Sequence, residues 1–246
     1  AIMAYQEGDI GLHAPIRVRM TREVAGEPRQ KLIKTTVGRI IFNEPIPQDL
    51  GFVDRNNPET QFNMEIAFLV RKKELGKIID RCIARHGTAR TAEVLDRVKE
   101  LGFKFSTRSA ITVSISDAVI PKEKKQYLAE AEQQVEEIQR RYDRGLISDE
   151  VRYERVIKTW NDTTARVKDA LQNSFGPDNP IFMMADSGAR GSMDQIRQLA
   201  GMRGLIANTS GRAIEIPIRS NYREGLNILE YFNSSRGARK GLADTA

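Results

Sequence analysis

From Pro121 to Leu171 apolar residues keep a helical step across an otherwise charged stretch, and this limits the possible folds more than any other feature of the chain. Leu128, Ala131, Val135, Ile138 and Tyr142 recur at steps of three and four, which is a heptad seam. After a short turn containing Gly145, Tyr153, Ile157, Trp160, Thr164, Val167 and Leu171 repeat the spacing. Ser148, followed by Asp149 and Glu150, supplies an N-cap and first-turn acids. Two helices of this length joined by about five residues must run antiparallel. The expectation is a projecting helical hairpin with its tip near residues 143–148. Most of its charges read as a solvated face. Two helices alone bury little, so the hairpin as a whole is better explained as a docking arm.

The chain has 246 residues, 40% of them hydrophobic, enough to bury a core and to divide into two or more units. One cysteine, Cys82, and two histidines, His13 and His86, leave no disulfide framework and no Cys-clustered zinc site. No apolar run approaches the roughly 20 residues that span a bilayer, and the first residues lack a secretory signal. The chain therefore reads as soluble, cytoplasmic and not membrane-bound. The net charge of +6 is unevenly spread: residues 1–120 hold 19 basic and 15 acidic side chains, 121–173 hold 11 and 11, and 181–246 hold 9 and 6. A neutral block between two basic ones suits a polyanionic partner without requiring one.

Ahead of the hairpin, Gly26, Pro28, Pro45, Pro47 and Pro58 punctuate short apolar runs such as LIKTTVGRIIF, which read as strands, turns and one short helix. From Lys72, Leu75, Ile78, Ile79, Cys82 and Ile83 share one helical face up to Gly87. Cys82 thus belongs to a core rather than to a reactive site. A second helix follows with Val94, Leu95, Val98 and Leu101 and closes at Gly102, and ITVSI (Ile111, Val113, Ile115) alternates as a half-buried strand. The expected class is α+β, predominantly α.

Residues 181–207 read IFMMADSGARGSMDQIRQLAGMRGLIA, with Gly188, Gly191, Gly201 and Gly204 set around Arg190, Arg197 and Arg203. Glycines allow close backbone approach and arginines bind phosphates through two N–H groups. Ser192 and Gln195 make a capping box, so Arg190 stands beside a helix start, a place inclined to bind anions. The run matches neither common phosphate-loop pattern, and a Gly-rich turn near arginines is structural more often than not. Residues 219–246 read RSNYREGLNILEYFNSSRGARKGLADTA. Asn221 and Glu224 make a capping pattern, Leu226, Leu229 and Phe232 an apolar stripe, and a long helix is expected from there, weakened at Ser234, Ser235 and Gly237. No C-cap precedes Ala246, which predicts a helix that continues past it.

MMADSGARGSMDQIRQLAGMRGL and NYREGLNILEYFNSSRGARKGLADTA resemble segments bordering the active centre in the largest, β′-type, subunits of bacterial multisubunit RNA polymerases. LHAPIRVRM, TTVGRIIFNE and VIPKEKKQYLAEAEQQVEEIQRRYDRGLIS are similar to the same family in the same order. The resemblance implies that 1–51 end the active-site region and 52–120 form the pore or funnel. It makes 121–173 the rim hairpin of the secondary channel, 174–218 a loop region supporting the bridge helix, and 219–246 the first half of that helix. It gives Arg190 a place facing the incoming triphosphate and Met184 one beside it. Gly237, Arg239, Lys240, Gly241, Asp244 and Thr245 become the hinge and nucleic-acid-proximal part of the bridge helix. Asp143, Arg144, Gly145 and Leu146 become the tip where coiled-coil transcript-cleavage and regulatory factors dock.

The family's Asn-Ala-Asp-Phe-Asp-Gly-Asp metal motif is absent, so no catalytic residue and no metal ligand is expected in this chain. Mg2+, and Zn2+ with it, belong to the rest of the subunit. Implied partners are the β, α, ω and σ subunits, template DNA, RNA and nucleotides. The rival readings are a docking module for channel factors, non-catalytic alone, and a free-standing basic nucleic-acid binder.

Overall fold

Thr36 divides the apolar run LIKTTVGRIIF into a strand and a helix. In the computed structural model, which describes residues 1–24, 27–208 and 210–245 and the side chains of all these except Lys240 and Asp244, β1 (Pro15–Val24) pairs antiparallel with β2 (Glu27–Thr36). Gly26 lies outside the described residues. The second half of LIKTTVGRIIF is the short helix expected among the strands and turns, α2 (Val37–Asn43), following the short α1 (Ile2–Glu7) and the sheet. The Thr36 hydroxyl accepts the Arg39 N–H at 3.3 Å and so caps α2, while Val37 and Ile41, four apart, turn into the core. A short apolar run fits either period, and here the cap decides.

The chain divides into two compact units, Ala1–Ile111 and Thr112–Ala246. Among the described residues helices predominate and the only named sheet has two strands, in keeping with the α+β, mainly α, class. No helix of the described residues is long and apolar enough to cross a membrane.

In the first unit, residues 44–71 have no regular helix or strand, so their backbone polar groups need other partners. Side chains supply them. The buried Asn43 amide donates to the Ile66 carbonyl at 2.8 Å and accepts the Ile66 N–H at 3.0 Å. Gln48 accepts the Glu65 N–H at 3.0 Å. Glu65, only 2% exposed, takes the Phe52 N–H at 2.7 Å on one oxygen and the Arg55 guanidinium at 2.6 Å on the other. Arg55 also donates to the carbonyls of Gln48, Gln61 and Asn63. This knot holds Ile46, Leu50 and Ile66 against Ile78, Cys82 and Val94 of α3 (Lys72–Ser109). Cys82 is a core residue, as its helical face suggested.

Gly87 breaks α3 with φ 74° and ψ 175°, a conformation that side-chain-bearing residues rarely adopt, so two helical segments meet there. Gly102 does not close the second segment as expected. A helix tolerates one interior glycine at about 1 kcal/mol, and α3 runs on to Ser109, where Ala110 takes the left-handed cap. The expected strand ITVSI is also absent. Residues 111–114 are irregular and Ile115–Asp117 form a single 3-10 turn, with the Ser114 N–H donating to Asp117 at 2.6 Å. Alternating apolar residues make a strand only with a partner, and among the described residues none pairs with them. Local Ser and Asp hydrogen bonds prevail instead.

In the second unit the seam residues form two helices, α4 (Lys124–Asp143) and α5 (Asp149–Ser174). Ser148 caps α5 through the Val151 N–H. Ala131, Val156, Trp160, Val167 and Met202 make the buried cluster of the seam, flanked by Leu128, Val135, Ile138 and Leu205. Met202 comes from outside the hairpin and is fully buried. It leads into an irregular antiparallel strap, residues 203–208 and 210–220, in which Gly204 and Ile218 exchange N–H bonds at 2.9 Å each way. The strap lies along α5: Tyr153 donates to the Ala213 carbonyl at 3.0 Å, and Arg152 grips both oxygens of Glu215 at 2.6 and 3.0 Å. Gly204, with φ 82°, sits so close that a Cβ there would come within 3.1 Å of the Thr164 hydroxyl.

Two short helices, α6 (Pro180–Asp186) and α7 (Met193–Ala200), pack Ile181, Ile196 and Ala200 on Leu171 and Phe175. The last helix, α8 (Ile228–Thr245), begins later than Asn221. It is also uninterrupted through Ser234, Ser235 and Gly237, because small residues lower helix propensity without forbidding helix.

Removing one member of a buried ion pair leaves a charge without its partner and costs about 3–5 kcal/mol. Glu65→Leu is expected to destabilise the 246-residue chain by this order in urea denaturation, with part of the loss recovered in the Arg55→Met/Glu65→Leu double variant.

Candidate functional site

The two residues expected on the nucleotide side lie at the end of α6 and just beyond it: Met184 in its last turn, Arg190 in the turn that leads to α7. The Arg190 N–H donates to the Met184 carbonyl at 3.3 Å, which ties the two together across the end of α6. Gly188 and Gly191, at φ 74° and 80°, bracket Arg190 and turn the chain out of one helix and into the next. Arg190 is exposed, and among the described residues its guanidinium has no hydrogen bond or ion pair. Met184 is 40% exposed, unlike the core methionine Met202.

The capping box expected at α7 is present: Ser192 accepts the Gln195 N–H at 3.4 Å, and Gln195 accepts the Ser192 N–H at 3.0 Å. The first turn also has its own acid. The hydrogen bond from Lys168 at 3.0 Å, with Arg197 nearby, holds the Asp194 carboxyl below the usual carboxylate range. The start of α7 is therefore largely satisfied, and Arg190 rather than the helix end is the positive group left without a partner among the described residues.

The other two arginines of the run are engaged in structure. Arg197 donates to the carbonyls of Met202 and Arg203 at 2.7 and 2.8 Å. Arg203 hydrogen-bonds Ser234 of α8 and lies over the Tyr222 ring, 5.2 Å from its centre. Between α7, the strap and α8 is a cavity of about 480 Å³, lined by Arg197, Arg203, Ile206, Ser234, Gly237 and Gly241. Gly237 is a contact residue, since a Cβ there would fall 2.8 Å from Ile206, whereas Gly241 faces open space.

The start of α8 depends on residues that the sequence reading passed over. Asn221 and Glu224 do exchange capping hydrogen bonds, at 3.3 and 2.8 Å, but they close only a turn, which ends at Gly225 with φ 85°. A second N-x-x-E pattern follows at Asn227 and Glu230, with bonds of 3.1 and 2.8 Å, and this one opens the helix. The repeat was the available signal. Glu230 is 8% exposed and also accepts the Arg219 and Ser220 N–H groups at 2.9 and 3.2 Å, fastening α8 to the end of the strap. Burial pushes its carboxyl up, but the hydrogen bonds from Ser220, Asn227 and Arg219 outweigh this and leave it below its ordinary value.

Further along α8, Arg239, Gly241 and Thr245 are exposed, and Thr245 donates to the Gly241 carbonyl at 2.7 Å. The side chains of Lys240 and Asp244 lie outside the described residues. Leu229 and Phe232, expected on an apolar stripe, are 76% and 60% exposed. At the hairpin tip Asp143 accepts from Gln139 at 2.9 Å, Arg144 ends α4, and Gly145 takes the left-handed turn. Leu146 there is 68% exposed. Among the described residues no three His, Cys, Asp or Glu side chains converge in a way that could hold a metal ion.

Two family models match the chain: RNA polymerase Rpb1, domain 3, over residues 1–118, and RNA polymerase Rpb1, domain 4, over residues 145–224. The class is thus that of large RNA polymerase subunits. Over all its 246 residues the chain is 65% identical to the DNA-directed RNA polymerase subunit beta' of Caldanaerobacter subterraneus subsp. tengcongensis and 64% identical to that of Thermoanaerobacter pseudethanolicus. It is 57% identical over 245 residues to the same subunit of Clostridium perfringens. The alignments cover 100% of this chain and 21% of each relative. The chain belongs to the β′-type largest-subunit family of DNA-directed RNA polymerases.

Because the folded Glu230 carboxyl lies below its unfolded value of about 4.3, its contribution is complete above that pH and is lost as pH falls through the depressed value. Glu230→Gln is expected to lower stability at pH 7 by about 1.5–3 kcal/mol. The gap from the parent chain should close on acidification, as followed by denaturant titrations at a series of pH values.

Proposed function

We propose that this chain serves as part of a DNA-directed RNA polymerase, forming the nucleotide-entry (secondary) channel and one wall of the active site for DNA-templated RNA synthesis. The observation that carries this is the exposed Arg190, whose guanidinium has no partner among the described residues, on a turn tied by its backbone N–H to the Met184 carbonyl and positioned by two capped helices. An exposed guanidinium left free by the fold suits a triphosphate, and it stabilises charge on the leaving pyrophosphate. In this reading 52–120 form the pore or funnel, 121–173 the rim hairpin, 174–218 the support of the bridge helix and 219–246 its first half. Arg239 and Lys240 face nucleic-acid backbone, a role that adds affinity rather than base specificity, with Gly237, Gly241, Asp244 and Thr245 beside them.

The chain contributes positioning and charge, not the metal chemistry. Mg2+, and Zn2+ with it, are assigned to other parts of the subunit, and the isolated chain is expected to synthesise no RNA. Its partners are the β, α, ω and σ subunits, DNA, RNA and nucleotides, in the cytoplasm.

A second role at the same time is docking of coiled-coil factors at residues 143–146, favoured by the exposed Leu146 on a rigid two-helix support. Leu146→Ser with Arg144→Glu in the assembled enzyme is expected to weaken binding of such factors at least tenfold while factor-free elongation is kept. Unchanged binding would remove the tip from the site.

For the nucleotide role, Arg190→Ala in the assembled polymerase is expected to raise the nucleotide KM or slow addition, by about 1–3 kcal/mol in kcat/KM. Unaltered kinetics at limiting nucleotide would exclude Arg190.

A further inference from the structure

The β1–β2 ribbon has one face that its own unit does not explain. Residues directly opposite in an antiparallel pair share a face, and the register sets Arg17 opposite Lys34, Arg19 opposite Leu32, and Thr21 opposite Gln30. The alternate positions, with Met20, Val24 and Ile33, pack on Phe62 and Met64, so this set points away from that core. Arg17, Arg19 and Lys34 are exposed, and among the described residues none of their side chains has a hydrogen bond or ion pair. Leu32, in their midst, is 60% exposed. Only Glu23, opposite Pro28 near the ribbon's turn, adds an acid to this face.

Charges on a two-stranded ribbon have a bland use, since they deter pairing with foreign strands. That use does not require like charges directly opposite one another, an arrangement that costs stability, nor a leucine in open water between them. Some basic side chains of the same unit do have partners: Arg55 has Glu65, Arg90 has Glu93, and Lys31 reaches two carbonyls. We infer that this face is a protein-docking surface whose occupant is an acidic segment of another polypeptide, its carboxylates meeting Arg17, Arg19 and Lys34 and an apolar side chain covering Leu32. Charge complementarity gives the occupant its sign. The central leucine favours a protein over a nucleic-acid backbone, because phosphates leave an apolar side chain uncovered and the face carries no aromatic ring on which a base could stack.

The inference rests on the chain working inside an assembled polymerase, and the test separates the two. A benzophenone amino acid is placed at position 32 of the full-length subunit, and the enzyme is reconstituted from purified subunits. RNA synthesis by that enzyme checks the assembly independently of any adduct. On irradiation the expected product is a protein–protein adduct mapping to a segment where Asp and Glu outnumber Lys and Arg. Adding Arg17→Glu with Lys34→Glu should cut its yield at least tenfold, while Arg17→Lys with Lys34→Arg keeps it. An adduct to DNA or RNA, an adduct to a segment without acidic excess, no adduct in an active enzyme, or a yield indifferent to charge reversal would each overturn the inference.

Discussion

The second unit depends on how the seam between α4 and α5 is closed. Two helices touching along one line leave the flank of that line open to water, and a hairpin of this kind is marginal by itself. Met202, brought in from beyond α7, fills the seam beside Trp160 and Val167, and the strap that follows covers the flank of α5. Burying a methionine side chain fully is worth about 1.5–3 kcal/mol. It also fixes where the chain must lie afterwards. Gly204 against Thr164 and the Arg152–Glu215 pair then hold the strap in register.

The position of α8 follows from that strap. Its end at Arg219 and Ser220 presents two N–H groups to Glu230, while Arg219 also pairs with Glu132 on α4 and lies over Trp160. The helix start is thus fastened to the loop that the hairpin itself holds. Ile206 pressed against Gly237 and Arg203 bonded to Ser234 add two further points along the helix. Arg190 stands at the opposite end of α7, on a turn that shares this packing through Ile196 and Ala200. The bond from the Arg190 N–H to the Met184 carbonyl holds the backbone of that turn.

Much of this was legible locally. The heptad steps identified α4 and α5, Ser192 and Gln195 marked the start of α7, and Gly87 marked the break in α3. Local signals misled where two patterns compete for the same residues. LIKTTVGRIIF suits both strand and helix, and ITVSI has the alternation of a strand without a neighbour to pair with. The two N-x-x-E patterns at Asn221 and Asn227 are equivalent on paper, and only Gly225 between them separates a closed turn from a helix start. The polar knot of Asn43, Gln48, Arg55 and Glu65 could not be read at all. It joins residues up to 23 positions apart in the chain, and no short pattern announces a buried carboxylate with two donors.

By itself, then, the sequence determined the helical hairpin, the capped turn that presents Arg190, and membership in a polymerase subunit family, because periodicity, caps and long identical runs are local properties. The tertiary structure alone decided which arginines are free and which are engaged. Arg190, Arg197 and Arg203 are interchangeable as letters in a glycine-rich run. Folding turns Arg197 onto the carbonyls of Met202 and Arg203 and turns Arg203 onto α8, leaving Arg190 exposed. A charge is available to a ligand only when no neighbour in the fold has already satisfied it, and that is settled by contacts between residues the sequence keeps apart.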